Sequence, residues 1–165
     1  MTPTASPGPL NVLVWGENRH EQLEPAVAAC RDDGFQAVEF DNLDSYSRSE
    51  GAFGMEEAVG LAALLVGLAH ENGLAAGQKN TPELEDRGRD EVGFDFAVAE
   101  ECRRYEECAA YTDVYGAQVI DIEYADDLGG SLAEVCADPQ LPPASVVRDR
   151  DLVPAGDPDH VEERC

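Results

Sequence analysis

At 165 residues the chain has the length of one domain with a real core, and a hydrophobic content of 43% is that of a globular protein, which excludes wholesale disorder. With 35 acidic residues against 11 basic ones the formal charge is −24. Nucleic acid and anionic membrane surfaces are therefore excluded as partners, and a cationic or neutral ligand is favoured.

No run of 18 apolar residues exists, so no transmembrane segment is expected. Met1 to Leu10 is Pro-rich and uncharged, lacks the apolar stretch of a secretory signal, and reads as a flexible leader ahead of a single domain over residues 11–165. Asn11 to Trp15 is a predicted strand. Arg19 to Asp33 places Leu23, Ala26, Val27 and Cys30 at helical spacing and stops at Gly34. The stretch from Gly34 to Tyr46 organises the remainder of the chain. A turn glycine leads into a short apolar strand, about Ala37 to Phe40, which ends abruptly at Asp41, Asn42 and Asp44. Asp41 to Gly54 reads as a loop. Met55 to Asn72 is the strongest predicted helix; Leu61, Leu64, Leu65 and Leu68 make it apolar most of the way round, so it is expected to be well buried.

Leu74 to Gln78 is the next strand, and Thr81 is expected to cap a short helix with Pro82 at its first position. The strand Phe94 to Ala99 leads to a charged amphipathic helix, Cys102 to Tyr115. A strand over Ala117 to Ile122, a short helix over Ser131 to Ala137, and a weaker strand over Ala144 to Val147 complete the pattern, with a Pro- and Asp-rich tail to Cys165. Six strands and about five helices in near-regular alternation predict an α/β fold, a parallel sheet or barrel with its site on the carboxyl rim of the strands.

Polar residues gather at those predicted strand ends. Asp41, Asp44, Glu100, Glu101 and Glu123 would converge on one cleft in a barrel, and carboxylates held close repel until one is protonated and another ionised. Glycoside hydrolysis uses such a pair; a solvated acidic rim is the plain alternative. Lys79 is the only lysine and sits between a strand end and Asn80, where it could meet a carboxylate. Trp15, Tyr46 and Tyr124 could stack on sugar rings or pack in the core. No metal is expected: the five cysteines lack CxxC spacing, no histidine pair stands at ligand distance, and Asp41 to Asp44 does not fit a calcium loop. Disulfides are the better reading, which points to an oxidising compartment.

Taken with their order, these motifs resemble a known family. Gly34-Phe35-Gln36-Ala37-Val38-Glu39-Phe40-Asp41-Asn42-Leu43-Asp44-Ser45-Tyr46 resembles the signature of the endo-α-1,4-polygalactosaminidases, glycoside hydrolase family 114. Ala69 to Leu74 with Gly77 to Asn80, Phe94 to Cys108, and Glu123-Tyr124 resemble three further segments of it. The resemblance implies a (β/α)8 TIM-barrel-like fold and hydrolysis within α-1,4-linked galactosamine polymer by a monomeric extracellular enzyme with no cofactor. It implies Asp41 and one glutamate of the Glu100-Glu101 pair as the catalytic carboxylates; Glu100 is the choice, because it follows the asparagine position of the pattern, here Ala99. Glu39, Asn42, Asp44, Tyr46, Lys79, Asn80, Glu101, Glu123 and Tyr124 would shape the substrate subsites. It also implies the disulfides Cys102–Cys108 and Cys136–Cys165, leaving Cys30 free.

The chain departs from the family pattern at Phe40, Gln78 and Ala99, where the pattern has proline, leucine and asparagine. The last departure is expected to remove a polar group beside Glu100. About two β/α units that precede this segment in the family are not seen, so the barrel is expected to be incomplete. The competing expectation is a polysaccharide-binding remnant that has lost turnover.

Overall fold

The computed structural model describes residues 19–165. The strand expected over Asn11 to Trp15, and the leader before it, lie outside the described residues. Among the described residues six strands form one sheet in chain order: β1 (Ala37–Phe40), β2 (Ala75–Lys79), β3 (Phe96–Glu100), β4 (Val119–Tyr124), β5 (Ala144–Arg148) and β6 (Glu162–Arg164). The first five are parallel neighbours, and β6 runs antiparallel to β5. Helix α1 (Arg19–Asp32) precedes β1, and α2 (Met55–Glu71), α3 (Cys108–Tyr115) and α4 (Leu132–Cys136) lie in the β1–β2, β3–β4 and β4–β5 connections. The α/β alternation expected from the sequence is present, in a sheet whose parallel strands all point their carboxyl ends the same way.

Alternation along each strand gives the sheet two chemically distinct faces. One face carries Val38, Phe40, Ala76, Ala97, Ala99 and Val119 into the core, where they meet Val59, Ala62, Val66 and Ala69 of α2 and Tyr111, Val114 and Tyr115 of α3. The opposite face carries Glu39, Gly77, Lys79, Val98, Glu100 and Tyr124, in a register set by Glu39 opposite Gly77 and Glu100 opposite Ile122. This second face carries the charged residues at the strand ends. Ile120 remains 43% exposed on it.

Several local expectations are corrected. Thr81 does not cap a helix through its side chain. It sits at φ 63°, its hydroxyl donates to the Lys79 carbonyl, and the chain continues only into a short 3-10 turn, Pro82–Leu84. The helix expected from Cys102 begins at Cys108, because residues 102–107 form a turn closed by the Cys102–Cys108 disulfide. Part of the Asp41 to Gly54 loop is a 3-10 helix, Leu43–Arg48. Helix α2 buries one side only, and Leu64 is 63% exposed. The tail contains β6, which its acidic composition hid.

The second disulfide, Cys136–Cys165, ties α4 to the chain end across a sequence separation of 29. Cys30 is free. By loop-closure entropy, removing the Cys136–Cys165 bond costs about 3.5 kcal/mol, against nearer 2 kcal/mol for the short Cys102–Cys108 loop. Urea unfolding of the Cys136→Ser, Cys165→Ser double variant checks this; the larger loss is expected there, with β6 released from β5.

Candidate active site

The carboxyl ends of β1 to β4 build the site. Lys79, Glu100 and Tyr124 are the last residues of β2, β3 and β4, and Asp41 is the first beyond β1. Lys79 is the centre. Its Nζ lies 3.0 Å from Glu100 Oε2, 3.2 Å from Asp41 Oδ2 and 3.9 Å from Glu39 Oε1. Residues far apart in sequence are thus held around one ammonium, itself only 7% exposed.

Glu100 is the most closely held carboxylate. Tyr124 donates its hydroxyl to Oε1, Asn80 donates Nδ2 to Oε2 at 3.3 Å, and the Glu100 N–H donates to Asn80 Oδ1 at 2.8 Å. Asn80 makes this reciprocal pair from the left-handed region, at φ 45°, which asparagine tolerates better than most residues. Partial burial works to raise the Glu100 pKa, but the hydrogen bonds from Tyr124, Lys79 and Asn80 and the Lys79 charge outweigh it, and the carboxyl lies below its ordinary value. Glu39 goes the other way. Burial pushes it up, and the Asp41 and Glu100 charges add to the rise against Lys79. Burial opposes the charge on Lys79, yet Glu100, Asp41 and Glu39 hold its pKa above the ordinary lysine value. The cleft therefore contains neighbouring carboxyls displaced in opposite directions, the condition for acid and base to coexist.

The remaining residues singled out in the sequence are distributed around this cluster. Asp44 pairs with Arg48, whose guanidinium also reaches Asn42 Oδ1 at 3.5 Å. Tyr46 is half-buried in the same 3-10 helix. Glu101, adjacent to Glu100, turns aside at φ 59° and pairs with Arg150 at 2.9 Å. Glu123 lies on the helix-facing side of β4, fully buried, with Oε1 accepting the Arg103 N–H at 2.8 Å. It shares that side with Asp121 and is separated from Glu100 by the sheet. Trp15 lies outside the described residues.

The same alternation locates the three departures from the family pattern. Phe40 and Ala99 pack into the helix-side core, and Gln78 is buried there with its amide bonded to Tyr115 and to the carbonyls of Asn80 and Thr81. A methyl at Gly88 would overlap Gln78 Oε1 and the Tyr115 hydroxyl, so this packing needs glycine. None of the three faces the Lys79 cluster. The polar group expected to be lost beside Glu100 would have stood behind the sheet instead.

Sequence reasoning missed Arg150 and Asp126. Arg150 lies just beyond β5, bridges Glu101 and Asp126, and stacks over the Tyr124 ring at 4.0 Å. No motif marks it. The only available signal was scarcity, since 11 basic residues among 35 acids leave few cations without an acidic partner. Among the described residues the sulfurs of Cys102 and Cys108 and an oxygen of Asp121 lie within 4.8 Å of one another. The sulfurs are bonded to each other, so they offer no thiolate to a metal. Among the described residues no helix is long and apolar enough to cross a membrane.

The protein-family model described as "Glycoside-hydrolase family GH114" matches residues 10–165. No curated protein matches the chain. Among solved structures, the crystal structure of Aspergillus fumigatus Ega3 in complex with galactosamine is similar with a TM-score of 0.72 and 21% sequence identity, covering 91% of this chain. The chain spans 62% of that protein's length. The likeness shows the fold: the sheet is part of a TIM-barrel-like α/β architecture.

Proposed function

The chain belongs to glycoside-hydrolase family GH114, and we propose that it cleaves within α-1,4-linked galactosamine-type polysaccharide with Asp41 and Glu100 as its carboxylate pair. The observation that carries this reading is the gathering of Glu39, Asp41 and Glu100 around Lys79 at the carboxyl rim of adjacent strands. Galactosamine is the sugar bound in the Ega3 structure, which supports an amino-sugar polymer as substrate. A deacetylated polymer is cationic, and a cleft of carboxylates in a chain of charge −24 suits it.

Glu100, held ionised, takes the part of nucleophile or base, and Asp41, half-exposed at the rim, is the other carboxylate of the pair. Lys79 Nζ contacts both, 3.0 Å from Glu100 Oε2 and 3.2 Å from Asp41 Oδ2, so the two carboxyls flank one site. Glu39, Asn80 and Tyr124 line the subsite at the reacting bond, and Asn42, Asp44 and Tyr46 extend it. Glu101 acts on the subsite from behind through Arg150, and Glu123 through the turn beyond β3. The catalytic domain runs over residues 11–165, acts as a monomer and works outside the cell, a location supported by the two disulfides.

The test is release of new reducing ends from partly deacetylated α-1,4-galactosamine polymer, with a neutral α-1,4-linked galactose polymer alongside. Endo-type release from the amino-sugar polymer alone is expected. Binding without release overturns the hydrolase reading and leaves a polysaccharide-binding domain.

A further inference from the structure

The Tyr124 hydroxyl donates to Glu100 Oε1, and this bond helps hold the Glu100 carboxyl below its ordinary value, so whatever fixes the Tyr124 ring fixes a property of the cleft. The ring is fixed from one side by a cation. The Arg150 guanidinium carbon lies 4.0 Å from the ring centroid. A guanidinium over an aromatic face is attracted by the ring's negative quadrupole, and its plane restricts the ring's rotation. Arg150 cannot itself drift, because two carboxylates hold it. Nη2 and Nη1 reach Glu101 at 2.9 and 3.4 Å, and Nε and Nη2 reach Asp126 at 3.1 and 3.2 Å. Such forked pairs fix orientation as well as position. Glu101 lies just past β3, Asp126 past β4 and Arg150 past β5, so three successive loops meet over one ring.

We propose that Arg150 is a positioning residue of the cleft: clamped by Glu101 and Asp126, it holds the Tyr124 ring so that the Tyr124 hydroxyl keeps donating to Glu100. The inference rests on the reading of Glu100 as one of the catalytic pair for its importance to turnover, but the clamp is a property of the folded chain and can be tested without turnover. It gives Glu101 a task of its own. The second glutamate of the Glu100-Glu101 pair orients the cation that orients the tyrosine that serves the first. Arg150 does not touch Glu100, so its effect must pass through Tyr124.

The charged and titratable groups that face Glu100 are Lys79, Glu39, Asp41 and Tyr124; those that face Arg150 are Glu101, Asp126 and Tyr124, with Arg104 close enough to feel Glu101. Removing Arg150 also takes a positive charge from this neighbourhood, which would by itself favour protonation of nearby carboxyls. A double-mutant cycle with Tyr124 separates the two routes.

The experiment tracks the Glu100 side-chain carboxyl by carbon NMR against pH in the full chain, the resonance being assigned by its loss in Glu100→Gln. In Arg150→Ala the midpoint is expected to rise by about 0.5–1 pH unit, as a charge-assisted hydrogen bond is partly lost. In Tyr124→Phe the rise is expected to be at least as large, and adding Arg150→Ala to Tyr124→Phe is expected to produce little more. Arg150→Lys, which keeps the charge and loses the fork, is expected to behave nearer to Arg150→Ala than to the parent. Should Arg150→Ala fail to fold, Arg150→Lys with the same cycle carries the test. An unmoved midpoint in Arg150→Ala, or full additivity with Tyr124→Phe, overturns the proposal. Full activity of Glu100→Gln overturns instead the catalytic reading of Glu100, and leaves the NMR result for the clamp standing.

Discussion

Glu100→Gln is expected to lower kcat on partly deacetylated α-1,4-galactosamine polymer by about 10³-fold, the range in which a positioned proton-transfer or nucleophilic group contributes. The argument is geometric. Glutamine keeps the shape of the side chain and an oxygen to accept the Tyr124 hydroxyl, so the subsite stays built. What it loses is the charge that faces Lys79 at 3.0 Å and the capacity to act as nucleophile or base. Lys79 retains Asp41 at 3.2 Å and Glu39 at 3.9 Å, so no bare ammonium is left behind. KM is expected to stay within a few-fold, because a polymer is held by many sugars and only one bond reacts. Asp41→Asn should fall similarly. Glu101→Gln should fall far less, since Glu101 acts on the cleft through Arg150. Initial rates of reducing-end release check all three, with thermal unfolding as the control for fold. Glu100→Gln turning over within tenfold of the parent would remove Glu100 from the chemistry.

Stability is expected to fall as the pH rises from about 4 to about 7, opposite to the trend of a protein held by ionised carboxylates. The cause lies behind the sheet. Asp121 is fully buried, and neither carboxyl oxygen has a hydrogen-bond partner in good geometry. Burial, with the Glu123 charge adding to it, pushes its pKa from 3.8 up to about 7, outweighing the long contacts from Ser145 and the Cys102 and Ile122 N–H groups. Over that interval the folded chain keeps a proton that the unfolded chain has released, so each step upward in pH favours unfolding until the folded group also ionises. At about 1.4 kcal/mol per unit the total is on the order of 4 kcal/mol. Burial raises Glu123 too, against the Arg103 and Arg104 N–H groups, which adds a slope of the same sign. Asp121→Asn should flatten most of it, leaving stability near pH 4 almost unchanged and raising it at pH 8. Urea midpoints at the two pH values decide the matter. In register, Ala99 stands directly across from Asp121 on β4. An asparagine there, as the family pattern has it, would stand beside the Asp121 carboxyl, behind the sheet rather than in the cleft.

The parts of the fold legible in the sequence were those with strong local signals. The turn glycine before β1, the Asn72-Gly73 stop of α2, and the apolar runs that became β2 to β5 all announced themselves through patterning. The cleft was legible for the same reason, because polar residues placed just past apolar runs must leave the core together. What failed was period-two bookkeeping at the ends. Glu123 and Glu100 both come after apolar strand residues, yet they fall on opposite faces, because the ladder pairs Glu100 with Ile122 rather than with Glu123. Register is a tertiary property and cannot be counted from one strand alone. The turn at residues 102–107 was hidden because Cys102 and Cys108 suit a helix until they bond to each other. Arg150 was hidden because its partners Glu101, Asp126 and Tyr124 belong to other loops.

Among the described residues, Lys79 is held by three carboxylates, Arg150 by two and Arg48 by Asp44. The surplus negative charge must therefore be balanced by small mobile ions from solution. A polyamine chain settling along such a surface displaces them, and their return to bulk favours attachment in proportion to the number set free, as counterion release does for proteins on nucleic acid with the signs exchanged. Capture of the polymer would then depend on ionic strength along its whole length, while discrimination between sugars would begin only where one residue reaches the ring of oxygens around a single ammonium.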